Sequence, residues 1–170
     1  VVAFIFVALT EEGLKFWVVK KKAYPHPAFN EYYDGVIYAV VASLGFAALE
    51  NMFYVMDGGL GVGVIRAVLS VPAHALFGAT MGYYFSLARF ATDKSREREL
   101  LVKALFYAVF WHGLYDYLLM SSSILALLVF PLLLAVAGCG VVAGVKSLPP
   151  PVVHGTSFEI ISNSRYSSHA

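Results

Sequence analysis

An all-helical, polytopic transmembrane bundle of about five spanning helices around a central polar cavity is the fold class that three observations predict. The 170 residues are 59% hydrophobic and only 14% charged, against roughly 25% charged in ordinary globular chains, and the mean hydropathy is +0.72. Five apolar stretches approach the length of about 20 residues that a helix needs to cross about 30 Å of hydrocarbon. Four of the five carry ionisable side chains near their middles, where a charge costs about 2.5–3.5 kcal/mol even on lenient insertion scales.

The first stretch, 1–19, reads VVAFIFVALTEEGLKFWVV and is apolar apart from Thr10, Glu11, Glu12 and Lys15. It lacks the basic leader region and small-residue cleavage site of a signal peptide. It opens at Val1 without an initiator Met and inside an apolar segment, so further spans are expected upstream. The second stretch, 33–56, contains Glu50 and Asn51 in FAALENMFY. The third, 62–88, contains Arg66, Ser70 and His74 at four-residue spacing, with Pro72 among them. A proline inside a spanning helix is tolerated where neighbours re-satisfy the freed carbonyl. The fourth, 100–120, carries His112 and Asp116 at i and i+4, close enough to interact along one face. The fifth, 124–145, has no ionisable residue and reads as scaffold.

The connections support this count. Lys20–Lys22 follow the first stretch, DGGLG without Lys or Arg follows the second, and Arg89, Lys94, Arg96, Arg98 and Lys103 cluster after the third. Ser121–Ser123 follow the fourth and Lys146 the fifth. Basic connections lie on the cytoplasmic side, so the first helix is expected to run outside to inside and the chain to end in the cytoplasm. Gly78 and Gly82, like Gly140 and Gly144, have the small-xxx-small spacing that lets membrane helices approach closely. The aromatic-rich run 81–85 reads as packing and interface belt. Residues 1–146 form the expected membrane domain, and the Pro- and Ser-rich 147–170 a flexible polar tail. His26, His154 and His169 read as solvated bystanders.

The lone Cys139 excludes an internal disulfide framework and a cysteine-based zinc site. A net charge of +1 makes no basic field for nucleic acid. Left unpaired, Glu11, Glu12, Glu50, Arg66, His74, His112 and Asp116 would together cost on the order of 15–20 kcal/mol, more than the whole stability of a typical domain. They must converge, pair and hold water. Acids with two histidines suit general acid–base activation of water, and equally a metal site of mixed imidazole and carboxylate ligands or a proton or ion pathway. No HExxH helix, GxSxG elbow or P-loop is present. A purely structural role for the acids, neutralised by Lys15 and Arg66, and a catalytically silent binding module are the plainer alternatives. Asp116 reads as a partner that sets the tautomer of His112, and Glu50 and Asn51 stand between site residues and helix glue.

EEGLK at 11–15, FAALEN at 46–51, His74 followed by Gly78, and WHGLYD at 111–116 come in this order on successive helices. This series resembles the PrsW family of intramembrane proteases, which is related to the CAAX-processing and bacteriocin-processing membrane proteases. The resemblance runs from Thr10 to Asp116. It implies endoproteolysis of a membrane-anchored protein, such as an anti-sigma factor, by a glutamate-activated water. Glu11 and Glu12 match the paired acids, one of them the general base. His74 and His112 match the third- and fourth-helix histidines, Asp116 the position where CAAX-type relatives carry Asn or Asp, and Glu50 with Asn51 a second-helix motif. His74 would position the water or oxyanion, while His112 and Asn51 would stabilise the oxyanion or protonate the leaving amine. Lys15 and Arg66 balance charge. No cofactor is favoured; zinc is compatible, with Glu11, Glu12, His74 and His112 as its ligands. The expected partners are the lipid bilayer and a membrane-anchored substrate, and the sequence leaves the oligomeric state unset. A proton- or ion-coupled transporter using the same acids and histidines as a relay is the alternative function, weakened by the lack of an internal repeat.

Overall fold

The computed structural model describes residues 3–120 and 124–149, with side chains only in part before residue 6 and between 124 and 137. The connection 121–123 and most of the expected tail, 150–170, lie outside the described residues. Those residues form five α-helices and no strand: α1 (Leu9–Val18), α2 (Tyr32–Gly58), α3 (Leu60–Arg89), α4 (Lys94–Met120) and α5 (Ile124–Lys146). Among them α2 and α3 are the two long and apolar enough to pass as membrane spans on length and hydropathy alone. α1 has only 10 residues between its flanking π-turns, and α4 interrupts its apolar run with ionisable and polar groups.

The element boundaries depart from the hydropathy reading in three places. The first helix does not stop at residue 19. Wide π-helical turns, Ala3–Ala8 and Val19–Ala23, flank α1 and carry Lys20–Lys22 as helix rather than loop. π-turns inside helices are rare and frequently accompany functional sites. The second connection shrinks to Gly59, whose φ of 81° joins α2 directly to α3, a backbone region that glycine enters without a steric penalty. The third basic cluster is mostly helical, because α4 starts at Lys94. Asp93 Oδ1 accepts from the Arg96 amide at 2.8 Å, capping the helix start, and Lys94–Glu97, Arg96–Glu99 and Glu99–Lys103 pair along its surface.

α3 is the central helix, buried at Ser70, Ala73, His74, Phe77, Gly78, Met81, Gly82 and Phe85. Its closest neighbour is α2. A Cβ added at Gly78 would lie 2.7 Å from the Ser43 side chain and 2.8 Å from the Ala39 carbonyl, and one at Gly82 would lie 2.6 Å from Val36 Cα. The two backbones therefore touch with nothing between them, as the glycine spacing predicts. The facing stripe on α2 is Gly35, Ala39, Ser43 and Ala47, all buried and four residues apart. Gly140 and Gly144 behave differently. Gly144 meets the Tyr83 ring, whereas a Cβ at Gly140 would meet nothing, so that pair does not form a second close crossing.

At the end of the bundle bearing the basic residues, the segment between α1 and α2 is tied down. The Tyr24 hydroxyl donates to Glu97 Oε1 at 2.9 Å, Lys20 Nζ lies 3.7 Å from the same carboxylate, and Arg89 Nε donates to the Phe29 carbonyl at 3.2 Å. Phe29 is fully buried. Hydrogen bonds from Lys94 and then Tyr24 hold the Glu97 carboxyl below its ordinary range, while burial, followed by the Glu97 contact, pushes the Tyr24 phenol up.

Candidate active site

Four helices bring their misfit side chains to one place. On α1, Glu12 is completely buried and its Oε1 receives two groups: Lys15 Nζ at 2.6 Å and His112 Nδ1 at 2.8 Å. Lys15, buried one turn later, also meets His74 Nδ1 at 2.9 Å and lies 3.6 Å from Glu11 Oε2. His74 Nε2 meets Glu50 Oε2 at 3.1 Å, and Arg66 closes the chain on that same oxygen at 2.8 Å while its guanidinium stacks over the Tyr54 ring at 3.7 Å. One continuous network thus runs Arg66–Glu50–His74–Lys15–Glu12–His112.

The network assigns the tautomers. An ammonium only donates, so Lys15 makes His74 Nδ1 an acceptor and leaves its Nε2–H to donate to Glu50. The Glu12 oxygen that receives the Lys15 ammonium makes His112 Nδ1 a donor and leaves Nε2 facing outward. There it meets Asp116 Oδ2 at 3.5 Å and Glu11 Oε2 at 3.9 Å. Phe77 fixes the ring by stacking on it at 5.0 Å and 16°, and the two imidazoles meet edge to face at 5.1 Å.

Two sequence expectations change in this geometry. Adjacent residues project about 100° apart on a helix, and Glu11 and Glu12 accordingly approach different nitrogens of His112, Glu12 with Lys15 beside it. The tautomer of His112 is set by Glu12, at 2.8 Å, rather than by Asp116, which is too far for a hydrogen bond. Asn51 turns away: its Nδ2 donates to the Gly63 carbonyl at 3.4 Å, bracing the α2–α3 hairpin, and the structure does not bring it to the imidazoles. Glu11, Glu12, Lys15, Glu50, Arg66, His74, His112 and Asp116 do converge.

Sequence reasoning missed several supporting groups. Ser43 Oγ donates to the His74 carbonyl at 2.7 Å, which holds α3 at the histidine, and the four-residue stripe on α2 was the available signal for it. Tyr115 was missed as well: it shares a hydrogen bond of 2.7 Å with Ser70, the residue that the sequence aligned with Arg66 and His74, and a separation of 45 residues carried no signal. A cavity of about 170 Å³ lies against the cluster, lined among others by Glu50, Tyr54, Arg66, His112, Asp116 and Met120. Its lining extends from the imidazoles toward the end of the bundle that carries Gly59 and Met120.

Glu11 Oε2, Glu12 Oε2 and Asp116 Oδ2 are buried without a hydrogen-bond partner among the described residues, three acceptors available to a polar group that enters. Glu11, His74 and His112 each offer a ligand atom, all within 4.8 Å of one another. Two imidazoles and a carboxylate are a donor set that zinc accepts, so the residues present fit a metal ion in kind and number. The Lys15 ammonium, within 2.9 Å and 3.6 Å of two of those three residues, is a cation already in that neighbourhood.

Comparison with known proteins places this cluster in a family. Residues 1–142 match the family model described as PrsW family intramembrane metalloprotease. The chain is 44% identical over 120 residues to Protease PrsW of Geobacillus kaustophilus, covering 71% of this chain and 52% of that protein. It is 40% identical over 122 residues to Protease PrsW of Bacillus subtilis, covering 72% and 56%, and 39% identical over 140 residues to that of Clostridioides difficile, covering 78% and 59%. The chain thus spans between half and three fifths of the length of these curated relatives. No solved structure matches it. With a family match over most of its length, on helices that carry the paired acids and both histidines, this membrane protein belongs to the PrsW family.

Proposed function

We propose that the protein is an intramembrane endopeptidase that cleaves membrane-anchored proteins with a water activated by Glu11. The observation that carries this reading is the division of labour between the paired acids. Glu12 is completely buried and its Oε1 holds both Lys15 and His112, whereas Glu11 is partly exposed and turns Oε2, which has no hydrogen bond among the described residues, toward His112 Nε2 at 3.9 Å. A general base needs a lone pair within reach of the proton it takes, and that reach tightens when substrate binds.

In this reading water sits between Glu11 Oε2 and His112 Nε2. Glu11 removes its proton as the oxygen attacks the scissile carbonyl carbon. The His74 Nε2–H transfers its hydrogen bond from Glu50 to the developing oxyanion, and Arg66 keeps Glu50 paired meanwhile. Preorganised donors of this kind are worth several kcal/mol in a site shielded from water. The proton then passes to the leaving amine through Glu11 or His112 as the C–N bond breaks. If zinc binds, Glu11, His74 and His112 would hold it, and it would supply Lewis-acid polarisation of the carbonyl and a more acidic water. We favour the metal-free form, because the Lys15 ammonium would repel a dication at that point.

Basic connections mark the cytoplasmic side, so the Gly59 end faces outward, the carboxyl end of α5 faces the cytoplasm, and the cavity admits substrate from the outer half of the membrane. The test is cleavage of a membrane-tethered substrate by Glu11→Gln, Glu12→Gln and His112→Ala variants, with and without a chelator. Full activity in all three variants would sink the assignment, and a stoichiometric ion lost in His74→Ala would replace the metal-free form by the zinc form.

A further inference from the structure

A second feature lies along the α1–α4 seam, on the side of the Glu12–His112 contact toward Lys94, and its lining residues are not members of the proteolytic cluster. Between α1 and α4 runs a groove of about 440 Å³, lined by Leu9 and Phe16 of α1 and by Leu101, Leu105 and Val109 of α4, with the apolar stem of Arg98 at one end. Arg98, Leu101, Leu105 and Val109 recur at intervals of three to four, so they form one stripe of α4. From Arg98 to Val109 that stripe rises about 16 Å, which is about half the hydrocarbon thickness of a bilayer. The groove therefore has the length of one leaflet, with carbon along its depth and a cation at its mouth.

The cation is unusual among its neighbours. Lys94, Arg96 and Lys103 of the same helix each hold a carboxylate within 2.8 Å, and Lys20 holds Glu97. Arg98 is exposed and has no carboxylate partner among the described residues. The Lys20–Glu97 pair also fixes the end of the first helix beside the start of α4, so the exposed Lys21 and Lys22 lie at the same end as Arg98. A guanidinium forks onto phosphate oxygens more readily than onto water, and its long stem lets it reach the headgroup layer from an apolar wall.

We propose that this groove is a binding site for one anionic phospholipid, an acyl chain lying along Leu101–Val109 and its phosphate on Arg98. The arrangement combines the two elements of lipid-specific recognition: a complementary apolar channel and basic groups at the level of the anionic headgroups. The site stands independently of the catalytic reading, since none of its lining residues is a member of the acid–histidine network.

The experiment uses the full chain in phosphatidylcholine nanodiscs containing a small share of phosphatidylglycerol with a photoreactive acyl chain, the labelled peptides being mapped by mass spectrometry. Label is expected on 101–109 and on 9–16, competed by unlabelled phosphatidylglycerol and not by phosphatidylcholine. Arg98→Gln should lower that labelling about fivefold, the weight of about one basic residue against an anionic headgroup, and Arg96→Gln, whose guanidinium is already paired, should leave it unchanged. Leu105→Trp, which fills the groove without altering charge, should abolish it. Equal competition by phosphatidylcholine, or labelling indifferent to Arg98→Gln, overturns the proposal. Cross-linking of a second copy or of another membrane helix in place of lipid overturns it as well. Arg98 is exposed, so its variant tests the site even where Leu105→Trp fails to fold.

Discussion

At the scale of single residues, the two adjacent glutamates separate into different physical situations. Glu12 Oε1 lies between an ammonium and an imidazole, so Glu12→Gln removes the carboxylate closest to the buried Lys15 and leaves it only Glu11 at 3.6 Å. Breaking a buried pair by removing one partner costs about 3–5 kcal/mol, and the expected outcome is a clear fall in thermal midpoint of the detergent-solubilised protein together with loss of cleavage. Lys15→Met combined with Glu12→Gln should recover much of the midpoint and none of the activity. Glu11→Gln presents the contrasting case. Its free oxygen contributes no hydrogen bond to the fold, so the midpoint should hold while cleavage falls by about 10²–10⁴-fold, the usual worth of a positioned base. A Glu11→Gln variant that unfolds like Glu12→Gln would show that the two acids share one structural role. Much of this cluster was legible from residue chemistry, because the bilayer makes every ionisable group conspicuous. The orientation of each group was not, since it depends on which nitrogen of His112 each acid meets.

At the scale of elements, the α2–α3 hairpin is the frame on which the site is built. Its backbones meet at Gly35, Gly78 and Gly82, and Ser43 reaches across to the His74 carbonyl. Gly78→Leu or Gly82→Leu would force the helices apart where backbone, not a flexible side chain, stands in the way, and each is expected to abolish the folded form, seen as loss of a monodisperse peak on size exclusion. Gly140→Ala, where a Cβ meets nothing, should stay within about 0.5 kcal/mol of the parent. The glycine spacing was visible in the sequence on both helices. Only packing tells that 78 and 82 lie in a crossing and that 140 does not, because the identical spacing on α5 leaves Gly140 with nothing in reach among the described residues. The polar latch at the other end makes a pH prediction. The folded-state pKa of Glu97 is lowered, so its contribution is fully present above the ordinary glutamate value of about 4.3 and is lost as pH falls through the folded value. Thermal midpoints measured from pH 6 down to pH 3 should therefore decline more steeply in the parent than in Glu97→Gln.

At the scale of the whole molecule, the outstanding property is sidedness: the cavity is directed to the Gly59 end and the salt-bridged basic surface to the other. With Cys139, the sole cysteine, replaced by Ser, a cysteine placed at Gly59 should react with an impermeant thiol reagent added outside intact cells. One placed at Thr92, between α3 and α4, should react only after lysis. The reverse pattern would place the cavity on the cytoplasmic side. Chelators should leave cleavage unchanged if Glu11 activates water alone, and metal analysis of the purified protein checks the same point.

Hydropathy and the high cost of charge in hydrocarbon were sufficient, before any coordinates, to specify a helical membrane bundle, its helix order and the need for its acids and histidines to meet. These are demands of the solvent, and the solvent acts on composition and spacing alone. Tertiary structure decided what spacing cannot carry: that Glu12 rather than Asp116 orients His112, that Asn51 braces a hairpin instead of facing the imidazoles, that α4 continues through its basic turn, and that Arg98 has no carboxylate partner among the described residues beside an apolar groove. Each depends on which face a neighbouring helix presents. That choice is made by contacts between residues up to 100 positions apart, as between Glu12 and His112, for which a linear pattern holds no record.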